Sequence, residues 1–170
     1  MTVLPIIVAP DPRLKETCAP VEAVDAAVRT LMDDLLESMH AARGIGLAAP
    51  QVGITKRIIV VDVARDEEPP SPLRMANPEI VRASDELIAA DEGCLSLPEH
   101  YAEVVRPATV TVRFTDYDNV VRELDADGIL GTCIQHEMDH LDGILFVDHV
   151  SALKRSIILR KLTKMKKQQE

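Results

Sequence analysis

Apolar residues recur at helical spacing early in the chain. Val28, Leu31, Leu35 and Met39 share one face of a segment that opens at Asp25 and closes at Gly44, the usual glycine position. The β-branched run Ile58-Ile59-Val60-Val61 predicts a buried strand over Arg57–Val63, and the proline-rich stretch Glu67–Pro72 predicts a turn or loop. From Val104 to Phe114 apolar and polar positions alternate, as in one strand, and Asp118-Asn119 turns it into a short partner, Val120–Leu124. A second helix is predicted from about Asp127 to Gly143. Ser151–Lys167 carries Leu153, Ile157, Ile158, Leu162 and Met165 near helical spacing, predicting a terminal amphipathic helix with a basic outer face.

Helices and strands come in blocks without regular alternation. That order points to an α+β fold: antiparallel sheets packed around the second helix, with an N-terminal and a C-terminal helix. The 170 residues, 46% of them hydrophobic, suffice for one domain with a substantial core, and no internal repeat is visible.

Two imidazoles and a carboxylate change the picture from fold to chemistry. In His136-Glu137-Met138-Asp139-His140 the histidines are four residues apart, so on a helix both can present ring nitrogens to one ion. Glu137, rotated off that line, can reach a water on the ion as general base. The plainer reading is a pair of surface histidines with a solvated glutamate. A catalytic metal needs a third ligand, and the usual downstream sources are missing: Phe146 stands where a metzincin-type histidine would be, and the only later glutamate is Glu170. Cys94, within Glu92-Gly93-Cys94-Leu95-Ser96, is the candidate, since a thiolate is a strong ligand for zinc or ferrous iron. Its rivals are Cys133, one turn before His136 and better suited to a pocket wall, and Cys18, an ordinary small apolar residue. A third segment, Gly44–Gly53 (GIGLAAPQVG), reads as a tight loop passing close to something, with Gln51 as its one amide side chain.

Taken together and in this order, GIGLAAPQVG, EGCLS and QHEMDH resemble the signature set of the peptide deformylases. The likeness runs from the PDPRL segment (Pro10–Leu14) to the LFVD segment (Leu145–Asp148), with no substitution inside the three motifs. The resemblance implies a metal-dependent hydrolase that removes the N-formyl group from the formylmethionine of new polypeptides and releases formate. It implies Cys94, His136 and His140 as ligands of one divalent metal, Glu137 as acid/base, and the Gln51 amide and Leu95 backbone N–H as donors to the formyl oxygen. Gly46 and Ile45 in the loop, with Ile129 and Cys133, match family positions around the substrate. Tyr101 stands where many bacterial members carry an arginine that reaches the substrate backbone, which bears on affinity and not on the chemistry. Ferrous iron is the implied physiological ion, with zinc, nickel or cobalt as possible occupants.

Two other classes fit parts of the sequence. An ordinary HExxH metallopeptidase lacks its downstream ligand, and a zinc-stabilised RNA-binding module would need four protein ligands and leave Glu137 without a role. The expected organisation is a single catalytic domain over residues 1–150, with residues 151–170 a basic helix of the same domain.

Charge and cysteine content locate the protein. Net charge is −9, yet residues 151–170 hold seven of the 19 Lys/Arg and only one of the 28 acidic residues. Such a tail can touch ribosomal RNA and bring the enzyme to nascent chains, or simply be a solvated helix face. Three cysteines argue against a disulfide framework and for a reducing compartment. The start of the chain, MTVLPIIVAPDPR, has no preceding cationic region, is broken by prolines and is too short to span a bilayer. The expectation is a cytoplasmic, bacterial protein with no membrane or DNA partner.

Overall fold

The computed structural model describes residues 1–169; Glu170, the last residue of the predicted terminal helix, lies outside them. In chain order the elements are α1 (Ala26–Ala41), β1 (Gly46–Ala48), β2 (Ile58–Val61), β3 (Leu73–Ala83), β4 (Leu87–Cys94), β5 (Leu97–Pro107), β6 (Thr109–Thr115), β7 (Val121–Asp127), α2 (Gly128–Leu141) and α3 (Ala152–Gln169). Five strands form an antiparallel sheet in the order β1-β2-β3-β6-β7, and β4 and β5 form a separate antiparallel pair. The architecture is α+β, as the block order predicts.

β2 shows why its sequence is apolar without a break. Ile58 and Val60 pack with Val28, Met32, Leu35 and Met39 of α1, while Ile59 and Val61 pack with Cys133, Ile134 and Leu141 of α2. Successive strand side chains point to opposite faces, and here each face is covered by a helix. A third cluster joins Leu97, Ala102 and Val104 of β5 to Phe146, Val147 and the α3 residues Ile158 and Leu162.

Both long helices before the tail end in the same way. The Gly143 amide donates to His140 and Ile144 to Asp139, closing α2 with Gly143 at φ 73°. At the end of α1 Arg43 donates to His40 and Gly44 to Met39, so the left-handed residue is Arg43, at φ 57°, and not Gly44. Gly44 instead faces Leu95: a Cβ there would lie 2.6 Å from a Leu95 methyl, which would have to shift.

Two further expectations need correction. The alternating stretch Val104–Phe114 is two strands, divided at Ala108, that belong to different sheets. Pro107 ends β5 because it has no N–H to offer a ladder. In α3 the buried face is Ile158 and Leu162, with Leu159 and Met165 partly buried, whereas Leu153 and Ile157 are exposed. Periodicity marked an apolar stripe, but only its later half meets the body.

Candidate metal centre and active site

α2 carries His136, Glu137 and His140 into the interior, where all three are buried. The two rings stand edge to face with centroids 5.2 Å apart. Cys94, the last residue of β4, brings its sulfur to 3.4 Å from His140 Nε2. One donor atom from each of Cys94, His136 and His140 lies within 4.8 Å of the others. A sulfur and two imidazole nitrogens converging in a buried site are a donor set for zinc, ferrous iron or a related divalent ion.

The surroundings fit a cation. Glu137 Oε1 is buried without a hydrogen-bond partner among the described residues, 4.0 Å from His140 Nε2. Burial pushes the Glu137 carboxyl up to about 7. Burial also works against a charged His136, yet the Glu137 carboxylate, the Cys94 sulfur and the Glu92 carboxylate together raise its pKa well above the ordinary value. Burial, with the neighbouring His136 charge, holds His140 well below its ordinary value, so its ring keeps a lone pair for an ion.

Gln51 sits in a buried 3-10 turn, Ala49–Val52, and its side chain is fixed at both ends. Oε1 accepts from the Ala48 amide at 2.9 Å; Nε2 donates to Ser96 Oγ at 3.0 Å and points at Cys94 Sγ, 3.5 Å away. The amide donor therefore faces the ligand cluster. Gly46 begins β1 directly against α2, where a Cβ would lie 2.5 Å from Glu137 Oε2 and 2.8 Å from Cys133 Sγ. A cleft of about 420 Å³ opens over the cluster. Ile45, Gly46, Gln51, Leu95 and Tyr101 line it, together with Cys94, His136 and Glu137. Tyr101 is cross-strand partner to Gly93, whose missing side chain makes room for the ring.

Two residues singled out for the pocket stand apart from this lining. Cys133 is buried behind Gly46, its thiol directed at the Ile45 carbonyl at 3.6 Å. Ile129 is exposed in the first turn of α2. Cys18 packs in the core between the main sheet and α2, away from the cluster.

Sequence reasoning missed the support beneath His136. Glu92 accepts from His136 Nδ1 at 2.9 Å, which aims Nε2 at the cluster. Arg106 grips the same carboxylate through Nε and Nη2 at 2.7 and 2.9 Å and reaches Asp139 Oδ2 through Nη1 at 2.9 Å. Such carboxylate–histidine pairs fix the ring and its tautomer. The signal was present in β5: Ala102, Val104 and Arg106 occupy one phase of the alternation, which places a charged residue on the inward face.

A family model described as polypeptide deformylase matches residues 3–156. The chain belongs to the peptide deformylase family. The peptide deformylase of Rhizobium meliloti (strain 1021) is 49% identical over 167 residues, covering 98% of this chain and 96% of the relative. That of Methylocella silvestris is 52% identical over 170 residues, covering 98% and 87%. The crystal structure of peptide deformylase from Ehrlichia chaffeensis superposes with a TM-score of 0.94 at 39% identity, over 99% of each chain. As a peptide deformylase the protein is a metal-dependent enzyme that removes the N-formyl group from nascent peptides, and the Cys94–His136–His140 cluster is a possible site for its metal. Among the described residues no helix is long and apolar enough to cross a membrane.

Proposed function

We propose that Cys94, His136 and His140 hold the catalytic ion and that Glu137 is the proton carrier of deformylation. The observation that carries this reading is the meeting of three ligand atoms beside a buried carboxylate oxygen with no partner of its own. A divalent ion in that site supplies Lewis acidity, which lowers the pKa of a water from about 15.7 toward neutrality. Glu137 takes the proton of the attacking water, and its elevated pKa suits exchange near neutral pH. As the water oxygen bonds to the formyl carbon, charge grows on the formyl oxygen. The Gln51 amide, already aimed at the cluster, and the Leu95 backbone N–H in the turn after Cys94 stabilise it. Glu137 then returns the proton to the amine as the C–N bond breaks, leaving formate and a free N-terminus. Gly46 lets β1 close on Glu137, so the acyl side admits little more than a formyl group, while Ile45 and Tyr101 shape the approach for methionine, with Cys133 backing the wall behind Gly46 and Ile129 outside the lining.

Thiolate and imidazole donors admit several ions. Family resemblance favours ferrous iron in the cell, with zinc, nickel or cobalt as replacements. We further assign residues 1–150 to one catalytic domain with 151–170 as its terminal helix, working in the cytoplasm. The exposed lysines and arginines of α3 support contact with the ribosome.

The deciding experiment is an anaerobic assay of formate release from a formyl-methionyl peptide, with metal content measured on the same samples. Cys94→Ser should lose metal. Glu137→Gln should retain metal and lose about 10²–10⁴ in turnover. Full metal retention in the first, or full turnover in the second, overturns the assignment.

A further inference from the structure

The cleft over the metal cluster has two chain segments for walls, residues 43–46 after α1 and residues 93–101 around the start of β5. Each wall carries one exposed charged residue. Arg43 stands on one and Glu99 on the other, both exposed, and neither has an ion-pair partner within 4.0 Å among the described residues. Both also hold left-handed backbones, φ 57° and 67°, where glycine would be the unstrained choice. His136 and Glu137, the other charged or titratable lining groups besides Cys94 and Tyr101, are buried at the floor. The mouth of the cleft is thus polarised across its width, positive on the α1 side and negative on the β5 side.

We infer that Arg43 and Glu99 sort deformylation substrates by the order of charged residues after methionine, an inference that rests on the deformylase reading of this cleft. Residues of an extended peptide project alternately to opposite sides. A polypeptide leaving the cleft between these walls therefore presents its second and third side chains to different ones. An acidic side chain on the Arg43 wall together with a basic one on the Glu99 wall is favoured; the swapped order sets like charges against each other.

The test compares two isomeric substrates, formyl-Met-Glu-Lys-amide and formyl-Met-Lys-Glu-amide, with formyl-Met-Ala-Ala-amide as the neutral reference. The isomers have identical composition and net charge, so the overall acidity of the protein cancels. At low salt kcat/KM should differ between isomers by about three- to tenfold, the range expected for two exposed charge contacts, and 0.5 M salt should compress the difference. Arg43→Gly and Glu99→Gly suit the left-handed backbone; each should reduce the ratio, and the double variant should bring it to within about twofold of unity. Because the readout is a ratio within one protein, a general loss of activity does not imitate the effect. Equal rates for the isomers in the unaltered enzyme, or an unchanged ratio in the double variant, overturns the inference and leaves deformylation standing. Absence of formate from all three peptides overturns the deformylase reading and the inference with it.

Discussion

Two charge triads, one centred on Arg106 and one on Asp148, differ in charge order and above all in burial, and the first extends to His136 through Glu92 and to His149 through Asp139. In one, Arg106 stands between Glu92 and Asp139, with side chains 6%, 4% and 22% exposed. In the other, Asp148 stands between Lys15 and Arg155, at 21%, 45% and 44%. The buried triad has given up its hydration and recovers it only through close, complete pairing, so removing a member strands a charge in the interior. The outer triad remains half in water and ties the first turn of α3 to the body with little net energy. The inner one also has a client: through Glu92 it sets the His136 ring. Placement, not pairing, decides which network the protein depends on.

The strongest way to break that contrast is Arg106→Met. Glu92 and Asp139 would lose the guanidinium they share and keep only the His136 and His149 rings as partners, and stability should fall by about 3–5 kcal/mol in chemical denaturation. A loss below 1 kcal/mol would place the buried triad on a par with the exposed one.

Glu92→Gln probes the same triad more gently. Removing the carboxylate behind His136 should weaken metal binding about 10- to 100-fold, read by competition with a chelator. It should also change acid stability. Burial opposes the ionised form of Glu92, but the Arg106 guanidinium and the His136 ring outweigh it and hold the carboxyl at about 2, below its ordinary 4.5. A carboxyl depressed by folding contributes stability that is present above 4.5 and lost as pH falls through 2, on the order of 3 kcal/mol here. Unfolding free energies of the metal-free protein across pH 4.5 to 2 should fall less steeply in the variant than in the parent.

The smallest effect sharpens the comparison from the other side. Lys15→Ala and Arg155→Ala should each cost under about 1 kcal/mol, and 0.5 M salt should narrow even that, as expected for exposed pairs. A cost like that of Arg106→Met would mean that the outer triad anchors α3.

What the sequence made legible follows from the distance over which each feature is encoded. The His136–Glu137–His140 arrangement is local to one helix, and its spacing alone places both rings on one face. Cys94 was recognisable as a candidate from its chemistry, and Cys133, one turn before His136 on the same helix, read as a pocket wall. Glu92 was in view two residues before Cys94, but its role depends on Arg106, which meets it only through the β4–β5 ladder. Alternation placed Arg106 inside without saying what it would touch. The same limit merged β5 and β6 into one strand: a period of two reports which face is buried, not which sheet the strand joins. At Gly44 a correct helix end was assigned to the wrong residue, because the Leu95 side chain that this glycine faces comes from a distant segment.

Gly46 leaves no room for even a methyl group between β1 and the Glu137 carboxylate. A side chain here would have to displace the far ends of Glu137 and Cys133, so a substitution at residue 46 would be felt first as a shift of the Glu137 carboxylate. A compound seated against the backbone of residue 46 would therefore lie directly beside that carboxylate.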